Sequence, residues 1–199
     1  MNKHWQQHWL DSDHWILSAS LPKKLRLDGD AFETLWILHP PDYHEIKIHG
    51  RLVKTPRWQQ AYGADYYYTG FINRAQPIPP MLIPLHTWVK EEIDDRLNGL
   101  LVNWYDARLG HYIGPHRDNP TGLIKGSPIV TVSFGETRIF RLRPVKLKGV
   151  IIDFTTHHGT VFIMPWETNQ AWKHEVPGFK CHSSRRISVT FRAFTASSS

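Results

Sequence analysis

One cysteine, Cys181, in 199 residues leaves no partner for an internal disulfide and suits a reducing compartment. No apolar run approaches the ~18 residues of a membrane-spanning helix, which excludes such a span. The start, Met1-Asn2-Lys3-His4-Trp5-Gln6-Gln7-His8, lacks the apolar stretch of a secretory signal. The expectation is an intracellular protein, cytoplasmic in a bacterium and nuclear in a eukaryote, acting as a monomer. Internal repeats, long low-complexity segments, lysine-arginine blocks and acidic tails are all missing. Ala196 to Ser199 read as a frayed tail.

What the chain does have is aromatic surface. Nine tryptophans contribute to 13% aromatics, within 41% hydrophobic residues, enough for the core of one domain. A net charge of +6 fits a polyanionic partner, nucleic acid first, although many small basic proteins have no such partner. Residues 1–20 are polar and Trp-rich without clear periodicity, and the default role of Trp5, Trp9 and Trp15 is to cover the core. One helix is predicted from about Asp30 to Leu38, capped by Asp28 or Asp30, with Phe32, Leu35 and Trp36 on one face. A second is predicted over Leu85 to Leu97, entered after Pro77-Ile78-Pro79-Pro80 and stopped by Asn98-Gly99.

Beyond Gly99 the texture changes to short apolar or alternating runs broken by glycine and proline. These are Leu100–Tyr105, Ile129–Phe134, Thr137–Leu142, Val150–Thr155, Thr160–Met164 and Arg186–Phe194. They predict a two-sheet β core, with helices and a hairpin of the N-terminal half packed around it.

Of thirteen histidines, only His116 has a carboxylate, Asp118, two residues on. With one distant imidazole, His174, that pair is the ligand set of a facial-triad iron(II) site, with the opposite metal face open. Residues two apart on a strand share a face, so His116 and Asp118 at a strand end could both point inward. A surface loop with an ion pair is the other reading of the same string. By the same parity, Arg186, Ser188 and Arg192 share one face, as do Asn103 and Tyr105. Arginines facing a small core need an anion. If Ile187, Val189 and Phe191 fill the core instead, the arginines face water.

Together these residues resemble the AlkB-type iron(II)/2-oxoglutarate dioxygenases, most closely the branch that repairs alkylated DNA in animals. The resemblance covers about Ile46 to Phe194. Its landmarks are Thr55-Pro56-Arg57-Trp58-Gln59, Ala61-Tyr62-Gly63, Asn103-Trp104-Tyr105, Gly114-Pro115-His116-Arg117-Asp118, Gly126-Ser127-Pro128-Ile129, Val132-Ser133-Phe134-Gly135 and Arg186 to Arg192. It implies an α+β, mainly β fold: a double-stranded β-helix (jelly-roll) core over 99–199, with N-terminal helices and a nucleotide-recognition lid of hairpins over 1–98, in one structural domain. It implies Fe(II) on His116, Asp118 and His174, with 2-oxoglutarate and O2 as co-substrates. The co-substrate positions are Asn103, Tyr105, Arg186 (far carboxylate), Ser188 and Arg192 (iron end). Ser188 stands where relatives often carry an amide.

The resemblance also implies oxidative removal of methyl groups from bases such as 1-methyladenine and 3-methylcytosine, with release of formaldehyde and succinate. DNA, single-stranded in preference, is the expected partner and RNA the second option. A base undergoing chemistry leaves the stack, and by motif position Tyr68, with Tyr66 as the alternative, stacks on it opposite His116. Arg57 and Gln59 match contacts to backbone or base edges, and His49 replaces an aromatic wedge at a hairpin tip. One departure stands out. The acidic residue that relatives carry two positions after the iron-binding Asp is Pro120 here, which weakens any electrostatic preference for cationic lesions; Asn119 and Asp65 are the available substitutes. An oxygenase acting on a protein, lipid or small molecule is the alternative function. A nucleic-acid-binding module with a vestigial site is the third.

Overall fold

Strands dominate because the second half of the chain consists of short apolar and β-branched runs cut by glycine and proline. A computed structural model describes residues 5–48, 50–68 and 71–195, without the side chains of Lys47, Ile48, Tyr68 and Phe71. The elements in order are β1 (Gln6–Trp9), β2 (Trp15–Ser20), α1 (Gly29–Trp36), β3 (Glu45–Ile48), β4 (Arg51–Lys54), β5 (Trp58–Tyr62), β6 (Tyr66–Tyr68) and β7 (Phe71–Asn73). They continue with α2 (Ile83–Glu92), β8 (Gly99–Asp106), β9 (Ile113–His116), β10 (Ile129–Gly135), β11 (Arg138–Pro144), β12 (Ile152–Thr156), β13 (Thr160–Met164), α3 (Trp166–Ala171), β14 (Trp172–Val176) and β15 (Arg185–Arg192).

A seven-stranded sheet runs β1-β2-β13-β10-β15-β8-β5, and a four-stranded sheet runs β12-β11-β14-β9. The strand pairs in both are antiparallel. Ile16, Ile129, Phe162 and Met164 of the large sheet pack against Phe140, Leu142 and Trp172 of the small one, closing one end of the sandwich. This is the jelly-roll form of the double-stranded β-helix. The hairpins β3–β4 and β6–β7 stand apart as two-stranded sheets.

The outer face of the large sheet is covered by helices. Leu35 and Trp36 of α1 and Leu85, Trp88 and Val89 of α2 share a core with Val102, Trp104, Val132, Phe134, Ile187, Val189 and Phe191. The Trp104 indole N–H also donates to the Leu35 carbonyl at 2.9 Å. Every residue of β8 is buried, which means that both faces of the central strands are covered. Ile187, Val189 and Phe191 therefore fill the helix-side core while Arg186, Ser188 and Arg192 face the space between the sheets.

Asp28 caps α1, its carboxylate accepting from the Ala31 N–H at 2.8 Å. Asp28→Ala should lower stability by about 1 kcal/mol, read as a shifted denaturant midpoint at unchanged slope. α2 differs from its sequence reading: it begins at Ile83 and ends at Glu92, not at Leu97. Asp94 takes the Arg96 backbone N–H at 3.0 Å and its guanidinium at 2.9 and 2.6 Å, a local turn that competes with helix continuation. Asn98 and Gly99 open β8 rather than stop a helix. Asn98 exchanges two hydrogen bonds with the Phe194 backbone, and a Cβ at Gly99 would stand 2.7 Å from the Phe194 ring. The N-terminal segment forms the edge hairpin β1–β2, which pairs with β13 through Ala19↔Val161 and its neighbours. Trp5 packs on the helix-side core, Trp15 is half-buried and Trp9 is 61% exposed, so Trp9 does not cover the core.

Candidate metal and co-substrate site

His116 closes β9, His174 lies in β14, and the two are paired residues of adjacent antiparallel strands. Asp118 follows two residues after the strand. One ligand atom from each of the three lies within 4.8 Å of the others. His116 Nδ1 donates to the Gly114 carbonyl at 2.9 Å, which assigns the proton to Nδ1 and leaves the Nε2 lone pair for the cluster. Burial, and then the neighbouring His174, push the His116 imidazole down to about 3. Burial likewise lowers His174. For Asp118 burial acts upward but is outweighed by the Arg192 guanidinium and the imidazoles, so the carboxyl sits well below its ordinary range. Two neutral imidazoles and one ionised carboxylate are the protonation states a divalent ion requires.

Asp118 is held from every side. Arg192 Nε and Nη2 donate to its two oxygens at 3.0 and 2.9 Å, and the Tyr66 hydroxyl donates at 3.1 Å. Arg192 also lies over the Tyr66 ring, 4.7 Å from its centroid. Asn169 of α3, fully buried, accepts from the Asp118 N–H at 3.0 Å and donates to the Asp118 carbonyl at 3.1 Å. Sequence reasoning missed Asn169, since a single asparagine about fifty residues away carries no motif.

The large sheet supplies the opposite wall. Register sets Gln59, Asn103, Ser188 and Ser133 in one row across β5, β8, β15 and β10, with Arg186 and Tyr105 in another. Arg186 is 1% exposed. Its Nε donates to Ser133 Oγ at 2.9 Å, and its guanidinium lies 5.0 Å from the Tyr105 ring centroid. Its Nη1 is buried without an acceptor among the described residues, and burial pushes its pKa down. Asn103 Oδ1 accepts from Arg57 Nε at 2.7 Å, and Gln59 Oε1 accepts from Arg57 Nη2 at 2.9 Å.

The cavity thus collects His116, Asp118, His174, Asn103, Tyr105, Arg186, Ser188, Arg192, Arg57, Gln59 and Tyr66 from the positions singled out in the sequence. Of the others, His49 and the Tyr68 side chain lie outside the described residues. Thr131 and Thr190, whose hydroxyls are 3.2 Å apart, also line it and were not anticipated. Strand parity would have found Thr190, which lies between Ser188 and Arg192 on the same face. The residues fit both groups: three metal-type ligands converge, and the buried Arg186 beside them has no anionic partner among the described residues.

Comparison with known proteins gives the same picture. The sequence profile of the 2OG-Fe(II) oxygenase superfamily matches residues 38–192. DNA oxidative demethylase ALKBH2 from Mus musculus is 32% identical over 158 residues, 74% of this chain and 66% of that protein. Alpha-ketoglutarate-dependent dioxygenase alkB homolog 3 from Rattus norvegicus is 31% identical over 151 residues, 69% of this chain and 50% of that protein. The chain thus spans between half and two thirds of the length of these relatives. The solved structure of OsALKBH1 superimposes with a TM-score of 0.59 at 16% identity, covering 94% of this chain and 99% of that one, which bears on the fold alone. Profile, relatives and the ordered cavity residues agree: the chain belongs to the 2OG-Fe(II) oxygenase superfamily, in its AlkB-type branch, whose members use Fe(II), 2-oxoglutarate and O2.

Proposed function

We propose that this enzyme oxidatively demethylates N-alkylated bases in DNA, with RNA as a second nucleic-acid substrate, releasing formaldehyde and succinate. The observation that carries the reading is Arg186, a buried cation with an unmatched N–H in the same cavity as two neutral imidazoles and an ionised carboxylate. A dicarboxylate beside a divalent ion satisfies all of these groups at once. In this reading His116, Asp118 and His174 hold iron(II). Arg186 takes the far carboxylate of 2-oxoglutarate, Asn103, Tyr105 and Ser188 line its length, and Arg192 fixes Asp118 at the iron end. Iron(II) and 2-oxoglutarate held by these residues would supply, with O2, the oxidation that hydroxylates the methyl group while the keto acid becomes succinate and CO2. The resulting hemiaminal splits into formaldehyde and the restored N–H.

The chain's own residues orient these events. Arg57 and Gln59, on the edge strand β5, meet base or backbone, and Tyr66 braces Asp118 beneath it. Contacts by Tyr68 and His49 rest on motif position. The names of the ALKBH2 relatives and the net charge of +6 support DNA as the substrate class.

Matched oligonucleotides carrying 1-methyladenine, 3-methylcytosine or no lesion, incubated with Fe(II), 2-oxoglutarate and ascorbate, test this by mass spectrometry. Loss of a methyl mass only from lesion-bearing strands is the expected result. Succinate formation without methyl loss from any base would move the search to another substrate. Asn169→Ala removes both clamps on the Asp118 backbone and should weaken iron binding by about 10- to 100-fold, with metal titration as the readout. Unchanged affinity would remove Asn169 from the site.

A further inference from the structure

We propose that the substrate chamber selects N-alkylated bases that are electrically neutral and carry ring carbonyl oxygens, such as 3-methylthymine or 1-methylguanine, over the cationic 1-methyladenine and 3-methylcytosine. The inference rests on the demethylase reading and deepens it.

The first observation is charge. Among the described residues lining the cavity, Arg57, Arg186 and Arg192 are cationic and Asp118 is the one carboxylate. Three positive charges against one negative leave two in excess. A divalent ion and a dicarboxylate bring equal and opposite charge, and so leave that excess unchanged. Asp118 is already engaged by Arg192 and Tyr66. The substitutes available in the sequence point elsewhere. Asp65 accepts from Arg74 at 2.6 Å and from the Ala75 N–H at 2.7 Å and does not line the cavity. Asn119 is exposed, its carbonyl oxygen turned back onto the Thr121 N–H at 3.0 Å. Pro120 offers neither charge nor side-chain acceptor. A base that is protonated and cationic at neutral pH therefore enters a chamber of its own sign, away from bulk water, where repulsion is least screened.

The second observation is hydrogen-bonding direction. Gln59 is 3% exposed and lines the cavity. The Arg57 contact occupies its carbonyl oxygen and so assigns its amide orientation. Its Nε2 is then a buried donor with no acceptor among the described residues. A buried donor calls for an acceptor on whatever enters. 3-Methylthymine offers two carbonyl oxygens and 1-methylguanine one. 1-Methyladenine offers none, and the carbonyl of 3-methylcytosine comes with a positive charge. Both observations select the same class.

The test uses one single-stranded sequence carrying each of the four lesions in turn. Wild-type kcat/KM should favour the two neutral bases by at least about tenfold. Anisotropy of the same labelled strands, with protein prepared without iron or 2-oxoglutarate, should rank them in the same order. Gln59→Glu places a carboxylate beside Arg57 and should narrow the gap by about tenfold in favour of the cations. Gln59→Leu should weaken the neutral bases without helping the cationic ones. Methyl loss that is equal or faster from the cationic bases overturns the inference and leaves the demethylase reading standing. No methyl loss from any of the four strands, with succinate still formed, overturns both. Should a Gln59 variant fail to fold, the wild-type rankings decide alone.

Discussion

His116→Ala is expected to abolish turnover while leaving the domain folded. The imidazole is one of three groups that meet within 4.8 Å, and two ligands hold a divalent ion far more weakly than three. Its Nδ1 donates to a neighbouring backbone carbonyl, Gly114, and the residue as a whole is only partly buried. Truncation should therefore cost about 1–2 kcal/mol of stability. Metal analysis after gel filtration, with a thermal melt on the same sample, separates the two effects. A variant that retains full iron content and activity would remove His116 from the site. Asp118→Ala is a different experiment, although from sequence the two look interchangeable. Removing that carboxylate takes two charge-assisted bonds from the Arg192 guanidinium, which is 4% exposed. Breaking a buried pair in this way costs about 3–5 kcal/mol, so lost activity there would reflect the fold as well as the metal.

That contrast shows what the sequence could and could not convey. Six of the eight strands from Gly99 onward were legible to within about two residues, because β-branched and aromatic runs between glycines and prolines have one main use. The other two, β9 and β14, which carry His116 and His174, are short and polar and were not among those runs. Thr160–Met164 coincides with β13. The edge hairpin β1–β2 was not legible, because its short strands bury few side chains and alternate weakly. The second helix was read too long because Leu97 fits its apolar spacing, whereas the Asp94–Arg96 turn is a local contact that periodicity does not register.

The hardest question was the facing of β15. Posed from sequence as a choice between apolar and arginine faces, it has both answers, since the helices bury one face and the second sheet buries the other. The convergence of His116, Asp118 and His174 was legible from the His-x-Asp spacing together with the family resemblance. Asn169 was not, because its function is a through-space clamp on another residue's backbone. The detachment of Asp65 and Asn119 from the cavity likewise required coordinates.

Arg186→Ala is expected to raise the 2-oxoglutarate KM by about 10- to 150-fold. A charge-assisted hydrogen bond contributes about 1.5–3 kcal/mol, and each 1.4 kcal/mol is a factor of ten. The effect should fall mainly on KM, because Arg186 lies with Tyr105 in a row apart from the histidine–aspartate cluster and is the proposed anchor for the remote end of the co-substrate. Stability without co-substrate should move in a revealing direction. Wild-type protein buries a cation that meets only hydroxyls, those of Ser133 and Tyr105, and keeps an N–H with no acceptor among the described residues. Truncation relieves that desolvation while opening a void, and the two costs oppose each other. The unliganded melt should therefore shift little, whereas the rise in melting temperature that 2-oxoglutarate gives the wild type should be largely lost. Arg186→Lys keeps the charge but not the paired N–H geometry, and should fall between the two. A KM that stays unchanged in Arg186→Ala, with the thermal shift intact, would mean that the dicarboxylate is anchored elsewhere, and the unmatched guanidinium would then need a different anion.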